Sequence, residues 1–145
     1  MEAFEFYKIL LEEEHKSINK LLDTLADEDL KINIADDETI GDRLKHMTWA
    51  EHIMSGYLYE KNESSVDIDN ISIASLKEGF AISKMRHIET IDNLSYEDLD
   101  KVWKSKKSGN EYTYKFLLYH FLEHLITHRG QVAMALRMYK NKNSV

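Results

Sequence analysis

Seven histidines stand in a chain of 145 residues, and five of them fall in two short stretches. His120, His124 and His128 lie in HFLEHLITHRGQ, and His46 and His52 lie in KHMTWAEHI. Imidazole titrates near neutral pH and is the commonest metal ligand among side chains. Residues four apart on a helix share a face, one turn above the other. His120, His124 and His128 therefore form one stripe. Two imidazoles a turn apart, with about 6 Å of rise between them, can chelate one divalent ion. The outer two lie about 12 Å apart along the axis, too far for one ion to take all three. The candidate pairs are His120 with His124 and His124 with His128, so His124 belongs to both. A third ligand has to come from another helix. His46 and His52 differ by six positions, about 120° around a helix, so at most one faces the same interior point. His46 sits beside the apolar positions Leu44 and Met47, whereas His52 falls on a more polar flank between Glu51 and Ile53. An isolated histidine such as His15 or His87 is more often a hydrogen-bonded core or surface residue than a ligand.

Other chemistries are poorly served. The chain has no cysteine, which removes disulfides, a cysteine nucleophile, a thiolate zinc site and an iron–sulfur cluster. No serine sits in a nucleophile elbow. In EHLITH the glutamate, Glu123, precedes the first histidine, so the general base of an HExxH protease is missing. Glu51 and Glu123 are the carboxylates nearest the histidine motifs; each is a candidate base, with surface or helix-pairing duty as the default. No catalytic residue is assigned. Nineteen basic against twenty-six acidic residues give a net charge of −7. That balance leaves no basic stripe for nucleic acid and disfavours anionic lipid. No apolar run approaches the ~18 residues of a membrane span. The start, MEAFEFYKILLEEEHK, is acidic where a signal peptide is basic. The expected compartment is cytoplasmic. Glu12–Glu14, Asp27–Asp29 and the lysines at 104, 106 and 107 read as solvated charge.

The scaffold that must position the histidines is all-α. The length suits a single domain over residues 1–145 with a core of its own. No proline and five glycines favour long helices over many-turned sheets. Apolar periodicity marks four helices, at about 4–25, 40–61, 73–94 and 114–139. Phe4, Tyr7, Leu10, Leu11, Ile18, Leu21, Leu22 and Leu25 line the first; Leu44, Met47, Met54, Tyr57 and Leu58 the second; Leu76, Phe80, Met85, Ile88 and Ile91 the third. Tyr119, Leu122, Leu125, Ile126, Val132, Met134 and Leu136 line the fourth. Thr39 with Asp42, and Ser75 with Glu78, read as capping boxes at the starts of the second and third. The stretch NESSVDIDN makes a long connection between helices 2 and 3. A Ser108-Gly109-Asn110 turn between Val102-Trp103 and Tyr112-Tyr114 allows a short hairpin before helix 4. Gly130, inside helix 4, costs ~1 kcal/mol against alanine, which usually signals a packing or close-approach reason. The tail KNKNSV reads as frayed.

Two of these stretches carry a resemblance. HMTWAEHIMSGYL is similar to the second-helix signature of the DinB/YfiT-like metalloenzyme family. HFLEHLITHRGQV resembles that family's last-helix signature, in which two histidines four apart precede Arg-Gly-Gln. INKLLDTLADEDL resembles the end of its first helix, so the resemblance spans nearly the whole chain, in order. It implies a four-helix bundle with a divalent metal ion, such as Zn²⁺ or Ni²⁺, held by His46, His124 and His128. Arg129 and Gln131 match the tail of the last-helix motif and are candidate cofactor-binding residues; alternatively Arg129 pairs with an acidic helix neighbour and Gln131 supports a ligand from behind. The resemblance also implies a homodimer acting on a small molecule. Characterised relatives transfer low-molecular-weight bacterial thiols to electrophiles in stress and detoxification, so the implied cofactors are a metal and such a thiol. The alternative is a non-catalytic stress-response or ligand-binding module with a structural or vestigial metal; a fourth ligand from His120, Glu123 or His15 would close the site and favour it. Two positions depart from the family pattern. Glu123 replaces a common asparagine and Met54 a common tryptophan, and neither removes a ligand.

Overall fold

The computed structural model describes residues 2–59 and 68–143. These residues form four α-helices: α1 (Ala3–Asp23), α2 (Ile40–Tyr59), α3 (Ile73–Asp92) and α4 (Tyr114–Asn143). Helices α1 and α2 each pack against both α3 and α4, which makes α1 and α2 the diagonal pair of a four-helix bundle. No helix among the described residues is long and apolar enough to cross a membrane.

Local chemistry sets the helix starts. At α2, Thr39 N–H donates to Asp42 Oδ2 (3.0 Å) while Asp42 N–H donates to Thr39 Oγ1 (3.1 Å), the reciprocal pair expected from the sequence. At α3 the box lies three residues earlier than expected. Ser72, not Ser75, is the cap, and Ser75 takes the role expected of Glu78. Asp27 Oδ1 also accepts from Ile73 N–H (2.8 Å), so one residue of an acidic run serves as a tertiary cap rather than only as solvated charge.

Two small hairpins complete the scaffold. The expected one pairs β3 (Val102–Lys104) with β4 (Glu111–Thr113), with Trp103 opposite Tyr112. Gly109 in its turn has φ +76°, a backbone state that L side chains resist. The other hairpin, β1 (Asn33–Ala35) with β2 (Glu38–Thr39), was not expected. Its signal is the alternation of Ile32 and Ile34 before Asp36-Asp37. Short 3-10 turns precede both, at Asp27–Lys31 and Tyr96–Asp100.

The core follows narrower stripes than periodicity marked. On α4 the buried seam is Leu118, Phe121, Leu125, Val132 and Leu136, with His124 and His128 on its flank. Tyr119, Ile126 and Met134, expected in the core, are exposed, as are Leu10 on α1 and Met85 on α3. Each of these helices meets its neighbours over only part of its circumference, so a broad apolar stripe overhangs the contact. Helix α4 continues through Lys140–Asn143, where fraying was expected. The connection proposed between helices 2 and 3 falls mostly on 60–67, outside the described residues, as do the expected helix end at Lys61 and the side chain of Tyr57.

Gly130 has no close neighbour: a Cβ built there meets nothing within 4 Å. The packing reason expected for this glycine is absent among the described residues. Gly130→Ala is therefore expected to raise stability by about 0.5–1 kcal/mol, through helix propensity and lost unfolded-state freedom. Denaturant titration checks it; an unchanged or lower midpoint would refute it.

Candidate metal centre

Helices α2 and α4 run side by side, and this contact brings His46 to the turn of α4 that carries His124 and His128. One nitrogen from each ring lies within 4.8 Å of the other two. His128 Nε2 and His124 Nε2 are 3.0 Å apart, and His46 Nε2 and His124 Nε2 3.4 Å. Of the two pairs that spacing left open on α4, the structure brings together His124 and His128. His120, one turn back, is not in the group; its ring centre lies 6.1 Å from that of His124, and its Nδ1 lies 3.5 Å from Glu123 Oε1.

The donor set fits a divalent ion. About 2.1 Å per Zn–N bond and tetrahedral angles place nitrogens about 3.4 Å apart. Burial lowers the pKa of His46, with His128 and Arg43 adding to it. Burial above all, then the fields of His128, His46, His120 and Arg43, holds His124 down to about 4. Both rings are thus neutral at pH 7 and offer lone pairs. Three Nε2 atoms facing one another repel unless something positive lies between them. A proton on one ring serves one contact, whereas an ion serves all three. His124 Nδ1 is buried with no hydrogen-bond partner among the described residues, so nothing else holds that ring.

His128 is held from behind. Its Nδ1 lies 2.7 Å from Gln131 Oε1 and 3.1 Å from Arg43 Nη1, while its Nε2 faces His124. Arg43 donates to the same Gln131 oxygen and is itself gripped by Glu38, with Arg43 Nη2 to Glu38 Oε2 at 2.6 Å. The Arg43 grip holds the Glu38 carboxyl below its usual range. Of the two readings of Gln131, the structure gives the second and places it behind a histidine. Arg43 and Glu38 escaped the sequence reading, although Arg43 sits one helical turn before His46 on α2. Arg129, the other candidate cofactor residue, reaches α1 and pairs with the carboxylate of Glu14, Nη2 to Oε2 at 3.1 Å.

The two candidate bases part company. Glu123 stays half-exposed beside His120. Glu51 is fully buried, facing away from the three histidines. His15 Nε2 from α1 (2.8 Å) and His87 Nδ1 from α3 (3.0 Å) both donate to its Oε1. Tyr7 Oη lies 2.9 Å from His87 Nε2 and donates to the Leu118 carbonyl at 2.8 Å. Burial raises the Glu51 pKa, but the two histidine contacts outweigh it and leave the carboxyl below its ordinary value. Of the surface and helix-pairing roles open to Glu51, the structure gives the second, as a diagonal tie across the bundle. His52, placed on a polar flank by sequence, is also buried. The rotation of α2 that turns His46 toward α4 carries both residues inward. Neither His15, His120 nor Glu123 joins the histidine group, so among the described residues no fourth protein ligand closes it.

A cavity of about 420 Å³ adjoins the group. His46 and His124 form part of its wall, with Trp49, Ala50, Ile53 and Met54 from α2. Trp103 and Tyr112 of the hairpin and Phe116, His120 and Phe121 of α4 face them. His128 does not line it.

Comparison with known proteins agrees with this architecture. The model of the DinB family matches residues 1–139. A DinB-like protein from Bacillus cereus superposes with a TM-score of 0.73 at 23% identity, over 87% of this chain and 85% of its own. A conserved protein from Enterococcus faecalis gives 0.75 at 13%, over 94% and 96%. A DinB-like protein from Bacillus subtilis gives 0.71 at 15%, over 92% and 91%. At these identities the likeness is one of fold. No curated protein matches the sequence.

Proposed function

The chain belongs to the DinB family, and from that premise we propose that it is a divalent-metal-dependent enzyme that joins a small thiol to an electrophile. The observation that carries the reading is the convergence of three imidazoles from α2 and α4 with no fourth ligand among the described residues. An ion with three protein ligands keeps an open position, and there it would lower the pKa of an incoming thiol. His46, His124 and His128 would hold it. Gln131, tied through Arg43 to Glu38, holds the ring of His128 from behind. The walls beside His46 and His124 are largely apolar and would favour an uncharged co-substrate next to the ion. The thiol must come from outside, since the chain has none. In the transfer its proton goes to solvent and its sulfur bonds to the electrophilic carbon. The leaving group departs with its electron pair.

The absence of cysteine makes the test clean, because every thiol in the assay belongs to the co-substrate. Untagged, metal-reconstituted protein is incubated with a low-molecular-weight bacterial thiol and an electrophile, and free thiol is followed with time. Metal-dependent loss of thiol above the uncatalysed rate is the expected result; none across a panel of thiols and ions would overturn the transfer reading. Gln131→Ala is expected to weaken divalent-ion affinity by about 10–100-fold, as loss of a ligand's supporting partner typically does. Competition with a chromophoric chelator measures it, and unchanged affinity would remove Gln131 from the site.

A further inference from the structure

We propose that the cavity beside the three histidines binds a neutral, flat aromatic molecule of two to three rings. Its volume, about 420 Å³, falls within the ~300–1,000 Å³ of small-molecule sites. An apolar cavity of ~150 Å³ accepts one benzene, so this one has room for roughly two or three rings. Among the described residues no Lys, Arg, Asp or Glu side chain lines it, so in the absence of an ion at the histidines a charged ligand finds no counter-charge in the walls. Isolated charge is costly to bring into such a place.

One wall is a row of nearly parallel rings. Trp103 and Tyr112 stack at 6.4 Å and 24°, Tyr112 and Phe116 at 5.6 Å and 16°, and Phe116 and His120 at 5.8 Å and 8°. The row runs from the β3–β4 hairpin onto the first two turns of α4, and each ring is braced by the next. Little side-chain freedom is therefore left to lose when a ligand enters. Trp49 on the opposite side is 44% exposed and Phe116 42% exposed, large apolar surfaces that an aromatic guest would cover. His46 and His124 share the wall, so a guest in the cavity lies against the candidate metal centre. As the electrophile of the transfer, it rests on the function proposed above; as a bound molecule, it needs no ion.

Trp49 and Trp103 are the chain's two tryptophans, and both line the cavity, so intrinsic fluorescence reports occupancy directly. N-phenylnaphthylamine is titrated into the full chain after chelator treatment, beside anilinonaphthalene sulfonate, which has the same rings and a negative charge. The neutral probe is expected to bind saturably and about ten-fold or more tighter than the sulfonate, a difference of about 1.4 kcal/mol. His128→Ala removes a proposed metal ligand that does not touch the cavity and is expected to leave probe binding intact. Ala50→Phe fills the cavity and is expected to lower binding at least about ten-fold; Phe116→Asp, at an exposed position, should do the same with an unchanged circular dichroism spectrum. Absence of saturable binding, or a sulfonate that binds as tightly, would overturn the proposal. Binding that persists in a chain shown to take up no metal would support it while sinking the metal reading.

Discussion

Replacing His124 with alanine is expected to abolish divalent-ion binding, with affinity falling by more than the ~100-fold that loss of a mere supporting partner can cost. His124 is the shared member of the group: its Nε2 is 3.0 Å from that of His128 and 3.4 Å from that of His46. Removing it leaves two imidazoles on different helices with no nitrogen between them. His120→Ala is the matched control, one turn away on the same face and outside the group. Elemental analysis of untagged protein after dialysis should give close to one ion per chain for the parent and for His120→Ala, and none for His124→Ala. The site would be wrong if His124→Ala kept its ion, or if His120→Ala lost it.

Glu51→Ala is expected to destabilise the bundle strongly. Leaving a buried donor without its acceptor costs about 1–3 kcal/mol, and Glu51 serves two, so the loss is roughly 2–6 kcal/mol. For a domain near this size that corresponds to a fall in Tm of roughly 4–24 °C. Glu51 is tied to His15 from α1 and His87 from α3, so its loss leaves two buried imidazoles without their acceptor. Glu51→Gln keeps the shape and one acceptor oxygen and should cost less. The pH dependence has a definite sign. The folded-state pKa of Glu51 lies below its ordinary value. Its stabilising contribution is therefore complete above the unfolded pKa of about 4.3 and is lost as pH falls through the lower folded value. The stability gap between parent and Glu51→Gln should be widest near neutrality and shrink below about pH 4. Thermal melts at several pH values check this, and a gap that grows on acidification would contradict it.

The helices were legible because each carries an apolar stripe repeating at 3.6 residues and a local start signal. Thr39 and Asp42 cap each other within one turn, so the sequence alone placed the start of α2. The histidine stripe of α4 was legible for the same reason: four-residue spacing fixes a shared face before any tertiary contact exists. Which pair on that stripe would meet a third ring was not legible from spacing; the motif resemblance alone pointed to His124 and His128. That depended on the height at which His46 faces α4, and helix–helix height is set by side chains packing across the whole contact. Glu51 shows the same limit more sharply. Its two partners lie 36 residues before and 36 after it, on different helices, so no local pattern could distinguish it from a surface carboxylate. The cavity lies between. The hairpin that carries Trp103 and Tyr112 announced itself through its turn residues, yet only the fold lays those rings against Phe116 and opposite Trp49. Periodicity is a property of neighbours along the chain, whereas burial, convergence of donors and the shape of a cavity are properties of distant segments that meet only when the bundle closes.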